Sequence, residues 1–172
     1  MKRIYALMAL LIGLTYSSQA QTYCTTSLYT TGCTVGDDLD DVTLNNLVQT
    51  NTGCSTNGYA DYTADTILVQ QTAFLNISVT SNYSNQFYAI WIDANDDGDF
   101  DDAGEQIWAS TAASGTAGTT TADAFVIPST VPIGNHRLRM RGKFAGTALA
   151  STESCTSFTY GETHDYTVLV AG

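Results

Sequence analysis

Basic residues are scarce in this sequence. Its 172 residues include only 6 Lys and Arg against 17 Asp and Glu, which gives a formal net charge of −11 at pH 7. Proteins that bind nucleic acid or anionic membrane surfaces use clustered Lys and Arg to neutralise phosphates and displace counterions. We therefore expect no nucleic-acid partner, and the acidic balance directs attention to cations as ligands.

The motifs of common hydrolases are also missing. The chain has only two His, His136 and His164, and contains neither an H-E-x-x-H metal motif nor a G-x-S-x-G nucleophile motif. A glycoside hydrolase needs two carboxylates that flank a cleft. Glu162 and Asp165 are close in sequence, but nothing in the sequence indicates such a cleft between them. We therefore expect a protein that is not an enzyme.

Long apolar runs are absent beyond the N-terminus. Lys2 and Arg3 precede an apolar run at residues 4–14, and small residues ending at Ala20 follow it, a pattern typical of a cleaved secretory signal. The run is shorter than the roughly 20 residues needed to cross a bilayer, so we expect no membrane insertion. We predict two segments, a signal peptide at residues 1–20 and one secreted, monomeric domain at residues 21–172.

Cysteine is limited to four residues, all of which follow the predicted signal. An even number of Cys in an exported chain indicates two disulfides. A zinc site would need closer pairs, such as C-x-x-C. The sequence leaves three pairings open, and we take forward Cys33 with Cys54 and Cys24 with Cys155, the second of which would join the two ends of the domain.

Helical periodicity is almost absent, and apolar residues alternate with polar ones, as in Leu75, Ile77 and Val79. Turn residues (Gly, Asn, Asp and Ser) separate the alternating segments. Eight strands are predicted, at residues 42–48, 66–69, 75–79, 88–92, 106–110, 122–127, 137–143 and 166–170. This pattern predicts an all-β fold, an antiparallel β-sandwich of the Ig-like or jelly-roll-like kind.

The strongest chemical signal is the acidic segment at residues 93–105, DANDDGDFDDAGE. Oxygen-bearing side chains at alternate positions suit Ca²⁺, which takes about six to eight oxygen ligands, and Gly98 permits a sharp bend. The predicted flanking strands distinguish the segment from an EF-hand, and the alternative is a solvated acidic turn without metal. The predicted Ca²⁺ ligands are Asp93, Asn95, Asp97, Asp99, Asp101 and Glu105, with Glu162 and Asp165 as additional metal ligands or as structural residues.

Three of the few basic residues share one predicted strand. Arg137, Arg139 and Arg141 alternate with apolar residues and therefore lie on one face of that strand. This face could dock an anionic ligand, or its guanidinium groups could pair with Glu162, Asp165 or carboxylates of the acidic segment. We favour pairing, because the chain is so acidic.

A series of short motifs follows a fixed order from residue 23 to residue 168. The motifs are Tyr23-Cys24, Gly32-Cys33, Gly53-Cys54, residues 58–63, residues 90–100, residues 103–105, Ile127-Pro128, Gly134, residues 137–141 and residues 161–168. In this order and spacing the chain resembles the GEVED domain, a module of secreted and cell-surface proteins of Bacteroidetes-type bacteria. The name-giving segment reads GETHD here, with His164 in place of the middle acid.

The resemblance implies a module of extracellular proteins that has no established catalytic activity and often stands beside peptidase or adhesion modules. We therefore expect a secreted, Ca²⁺-stabilised binding or adhesion module whose ligand is an extracellular glycan or protein. The alternative is an accessory domain or fragment of a larger secreted hydrolase, either a peptidase or a carbohydrate-active enzyme.

Overall fold

A computed structural model describes residues 22–172, so the predicted signal peptide lies outside the described residues. Two 3-10 turns, Thr56–Gly58 and Ser151–Glu153, are the only helical elements in residues 22–172, and neither could span a membrane. Ten strands make up the rest of the regular structure: β1 Tyr29–Gly32, β2 Asp41–Leu44, β3 Leu47–Gln49, β4 Tyr59–Gln70, β5 Phe74–Thr80, β6 Gln86–Ile92, β7 Gln106–Ala109, β8 Thr120–Val126, β9 Gly134–Phe144 and β10 Phe158–Ala171.

The strands form two sheets in a sandwich-like arrangement, so the predicted all-β fold class is confirmed. The larger sheet has the order β1-β10-β9-β6-β7, and β4 pairs with the later part of β10 on the same side as β1. The smaller sheet has the order β3-β2-β5-β8. All the strand pairs are antiparallel except β1 with β10 and β4 with β10, which are parallel.

The strand prediction differs from the structure in several details. Residues 42–48 form a hairpin of β2 and β3 rather than one strand, because Asn45 takes a left-handed conformation (φ 51°) that Asn tolerates better than most residues. The short strand β1 was also missed, since its sequence, YTTG, has too few residues to show alternation. Alternation located the other strands but not their full extent, since the prediction covered only residues 66–69 of β4 and residues 166–170 of β10.

The main core lies between the two sheets. Leu75, Ile77 and Val79 of β5 face Ile90 and Ile92 of β6 across this layer, and all five are at most 5% exposed. This is the alternation that the sequence displays, with the apolar face of each strand turned inward. Burial of each such side chain stabilises the fold by about 1.5 to 3 kcal/mol.

Strand β6 is buried on its other face as well. Phe87, Ala89 and Trp91 form a second apolar cluster with Phe100 of the acidic segment and with Leu149. The indole Nε1 of Trp91 also donates to a backbone carbonyl of the segment before β10, at 3.0 Å. The loops therefore form a partial third layer over the larger sheet, and the acidic segment is packed against that layer through Phe100.

Two disulfides are present, and they have the pairing that we took forward from the three that the sequence leaves open. Cys24 is joined to Cys155, and Cys33 to Cys54. The first crosses 131 residues and attaches the start of the domain to the segment before β10. Such bonds are typical of oxidising compartments, so the structure is consistent with an extracellular location.

Candidate functional site

The acidic loop, residues 93–105, joins the antiparallel neighbours β6 and β7. Its ends are fixed to the larger sheet by backbone hydrogen bonds. The N–H of Asp93 donates to the carbonyl of Arg137 on β9 (3.0 Å), and the N–H of Ile92 donates to the carbonyl of Glu105 (2.9 Å). The loop therefore starts and ends at defined positions on the larger sheet.

Asp93 is fully buried and determines the first turn of the loop. Its Oδ1 accepts a hydrogen bond from the N–H of Asp97 (3.2 Å), and its Oδ2 accepts from the N–H of Gly98 (3.0 Å). The hydroxyl of Tyr23 donates to the same Oδ2 at 2.6 Å. Burial, together with the nearby Asp93 carboxylate, raises the pKa of Tyr23. Gly98 has φ 100°, so only a residue without a Cβ adopts this turn without strain.

Glu105 closes the loop from its other end and is 2% exposed. Its two carboxylate oxygens accept from the N–H of Ala94 (3.0 Å) and the N–H of Asp102 (3.1 Å). Burial raises the pKa of Glu105 to about 7, against the lowering effect of these two hydrogen bonds. Asp93 and Glu105 are therefore two buried carboxylates that hold the backbone of the loop.

The outer part of the loop carries exposed carboxylates. The amide Nδ2 of Asn95 donates to Oδ2 of Asp97 (2.9 Å) and to Oδ2 of Asp102 (2.6 Å). Two negative groups thus share one positively polarised partner. Asp99 accepts from the backbone N–H of Asp101 (2.9 Å) in a local turn, and Oδ1 of Asp101 accepts from the hydroxyl of Ser154 (3.0 Å).

The structure distributes the predicted Ca²⁺ ligands unevenly. It brings together Asp93, Asn95 and Asp97, adds Asp102, which the sequence prediction left out, and directs Asp101 toward Ser154. In residues 22–172, no group of three or more His, Cys, Asp or Glu side chains is arranged to hold a metal ion. Calcium loops also use Asn and backbone carbonyl oxygens, and the oxygen donors here fit Ca²⁺ in chemical type.

Arg139 is the central residue of the arginine stripe, the row formed by Arg137, Arg139 and Arg141 on β9. Its guanidinium group is fully buried and forms a two-point ion pair with Asp165 of β10, from Nε to Oδ1 and from Nη2 to Oδ2, both at 2.8 Å. Nη2 also donates to the carbonyl of Cys24 at 2.7 Å. Arg137 approaches the same carboxylate at 3.4 Å. The predicted pairing of arginines with Asp165 is therefore confirmed.

Arg141 is equally buried, but among the described residues its hydrogen-bond partners are neutral oxygens. It donates to the hydroxyl of Thr163 (3.0 Å), to the carbonyl of Thr156 (3.0 Å) and to the carbonyl of Glu153. Its guanidinium carbon lies 5.1 Å from the ring centre of Tyr29 and 5.0 Å from that of Phe158. Cation–π contact and carbonyl acceptors thus replace the carboxylate that the sequence led us to expect.

Glu162 lies on the opposite face of β10 from Asp165 and pairs with no arginine. Its two oxygens accept from the backbone N–H groups of Ser55 and Leu39, both at 2.7 Å. His164 Nε2 lies 3.4 Å from Oε1 of Glu162. Burial acts to raise the pKa of Glu162, but His164 and the hydrogen bonds lower it on balance. Glu162 and Asp165 are both fully buried, and their hydrogen-bond and ion-pair partners in residues 22–172 lie outside the acidic loop.

The fold and site define a disulfide-linked, all-β domain with an acidic loop at one end of a buried Arg–Asp network. The family model of the GEVED domain matches residues 87–169, in agreement with the resemblance that the motifs of the sequence indicate. The matched segment runs from β6 into β10 and includes the acidic loop, the arginine stripe and the GETHD segment. No curated protein matches the chain.

Proposed function

We propose that this chain is a secreted, non-catalytic binding or adhesion module whose acidic loop binds Ca²⁺. The signal-like residues 1–20 and the two disulfides support export to an oxidising compartment. A matching test is the mass of the exported chain, which should correspond to residues 21–172. A mass that retains residues 1–20 would contradict this part of the proposal.

The observation that carries the Ca²⁺ proposal is the shared partner of Asp97 and Asp102. Their carboxylates converge on the Asn95 amide within 2.9 and 2.6 Å, where they repel each other across a single polar group. Two unit charges about 4 Å apart repel by about 1 kcal/mol in water and by more at a protein surface. Bound Ca²⁺ supplies the positive charge that relieves this repulsion. The residues that would hold it are Asn95, Asp97 and Asp102, with Asp99 beside them.

A non-catalytic role is supported by the positions of the two carboxylates considered for glycoside hydrolysis. Glu162 and Asp165 lie on opposite faces of β10, each fully buried and each engaged by protein hydrogen bonds. A hydrolase pair must face a common substrate with a water or a sugar carbon between the two groups. Their arrangement instead stabilises the fold.

Calcium binding is tested by isothermal titration of the full chain, expressed through a secretory route so that both disulfides form. We expect saturable heats for the wild type and at least about tenfold weaker binding for Asp97→Asn combined with Asp99→Asn, because affinity depends on the number of charged ligands. Asp65→Asn, an exposed acid on β4, is the matched control and should bind as the wild type does. Equal or absent heats in wild type and double variant would refute the Ca²⁺ site.

A further inference from the structure

The end of the larger sheet opposite the acidic loop carries an aromatic pocket of about 460 Å³, lined by Val35, Asp37, Tyr83, Phe144 and Tyr160. Tyr83 is 41% exposed, and Phe144 and Tyr160 are half-buried. The ring centre of Phe144 lies 5.4 Å from that of Tyr83 and 6.2 Å from that of Tyr160, with both pairs nearly perpendicular. The pocket therefore has aromatic walls in several orientations.

A second pocket of about 490 Å³ adjoins the first and shares Phe144 and Tyr160 with it. Its lining includes Thr30 and Ser157, whose hydroxyls can bond a polar ligand, and Lys143. Lys143 is already paired with Glu153 at 3.0 Å and lies 4.7 Å from the ring centre of Phe158. We refer to these two neighbouring pockets together as the aromatic groove.

The first pocket contains a buried carboxylate. Asp37 is 2% exposed, and its Oδ1 accepts from the side-chain Nε2 of Gln86 at 2.6 Å. Among the described residues, no donor bonds to its other oxygen, Oδ2. Protein atoms do not fully enclose Oδ2. That oxygen is available as an acceptor for a ligand in the pocket.

The pocket is also held in place before any ligand arrives. Asp38 accepts from both the backbone N–H (2.8 Å) and the side-chain amide (3.0 Å) of Asn82, the neighbour of Tyr83. The hydroxyl of Ser81 donates to the carbonyl of Gly36 at 2.9 Å. The loop that carries Asp37 and the loop that carries Tyr83 are thus bonded to each other, which reduces the entropy lost on binding.

We infer that this aromatic groove binds a neutral saccharide chain, an inference that rests on the proposed binding function and names its ligand class. Pyranose rings present C–H groups that pack on aromatic faces, and their hydroxyls donate to carboxylates and accept from hydroxyl groups. The groove supplies these partners in Tyr83, Tyr160 and Asp37. The net charge of −11 and the acid in the pocket oppose an anionic glycan. Two adjoining pockets of this size hold more than one sugar ring.

The test uses the full, disulfide-bonded chain and isothermal titration with cellohexaose, chitohexaose and mannohexaose. We expect at least one to bind and Tyr83→Ala and Tyr160→Ala each to weaken that binding by about tenfold or more, as for aromatic anchors in other interfaces. Phe74→Ala is the matched control, because Phe74 is 81% exposed but lies on β5 in the other sheet. Its affinity should stay within about twofold of the wild type. Tyr83→Phe keeps the ring and should retain most of the affinity.

The outcomes separate this inference from the proposed function. Unchanged affinity in both Tyr variants, or equal loss in Phe74→Ala, would overturn the site. Binding to an array of peptides but to no neutral saccharide would contradict the saccharide ligand and agree with a binding function. Binding to neither would contradict both the saccharide ligand and the proposed binding function. If a Tyr→Ala variant does not fold, NMR contacts between saccharide C–H protons and the rings of wild-type Tyr83 and Tyr160 decide the matter, and their absence overturns the inference.

Discussion

Arg139 and Asp165 form a fully buried ion pair, and removal of one partner should be among the most damaging single changes in the domain. In Arg139→Met, the Asp165 carboxylate loses both 2.8 Å bonds and remains without its main counter-charge. Breaking a buried pair in this way costs about 3 to 5 kcal/mol, because the remaining charge stays desolvated. The 3.4 Å contact from Arg137 and the 3.0 Å bond from Tyr59 compensate only in part.

The measurement is urea unfolding of the oxidised chain, followed by circular dichroism. Arg137→Met is the matched control, because Arg137 contacts the same carboxylate from the same strand but has a side chain 23% exposed. Partly exposed pairs contribute about 1 kcal/mol or less to the free energy of unfolding. We therefore expect Arg139→Met to lower that free energy by about 3 kcal/mol more than Arg137→Met does.

Equal losses of unfolding free energy in the two variants, or a loss below about 1 kcal/mol in Arg139→Met, would contradict a strongly stabilising buried ion pair. Either result would mean that water reaches the Asp165 carboxylate when Arg139 is removed. Asp165→Asn provides a second test, since it removes the charge and leaves the shape of the side chain. It should destabilise the domain comparably, because Arg139 would then be the buried charge without a partner.

Two further predictions concern the disulfides and acid stability. Loss of Cys24–Cys155 should lower the free energy of unfolding by about 5 kcal/mol and loss of Cys33–Cys54 by about 3 kcal/mol, because the two disulfides close loops of 131 and 21 residues. Urea unfolding of the paired Cys→Ser variants should show this order. The reverse order would contradict loop entropy as the main source of the stabilisation. The pKa of Glu162 is lower in the folded than in the unfolded state. Its contribution to the stability of the fold is therefore complete above the unfolded pKa, near 4.5, and is lost as the pH falls through the folded pKa. The melting temperature of the wild type should accordingly fall more steeply between pH 5 and pH 2 than that of Glu162→Gln, and parallel curves would contradict this.

The fold class and most strands could be predicted because alternation of apolar and polar residues indicates a strand with one buried face. The signal fails where a strand is buried on both faces. In β6 the alternation of Ile90 and Ile92 with Trp91 is visible, but Trp91 is as buried as its neighbours, under a layer of loops. The parallel pairing of β4 with β10 could not be predicted either, since it depends on which strands become neighbours and not on either sequence alone.

The acidic loop shows a different limit of sequence reasoning. The position of the loop and the identity of its oxygen donors follow from the spacing of Asp and Asn. The roles of Asp93 and Glu105 do not, because an acid that binds a cation and an acid that binds backbone N–H groups have the same residue type. Their burial, visible only in the structure, places them among the groups that shape the loop, and it adds Asp102 to the exposed acids near Asn95.

The aromatic groove is formed partly by residues inside the segment that the family model matches and partly by residues outside it. Residues 87–169 include all of β9 and most of β6 and β10, with the acidic loop and the Arg139–Asp165 pair, and they also carry Phe144 and Tyr160. The other wall of the first pocket, Val35, Asp37 and Tyr83, lies outside this segment. Seven residues of β6 place the loop and the groove about 20 Å apart. We therefore expect a substitution at Tyr83 or Asp37 to alter the saccharide binding inferred for the groove without disturbing the acidic loop or the buried ion pair.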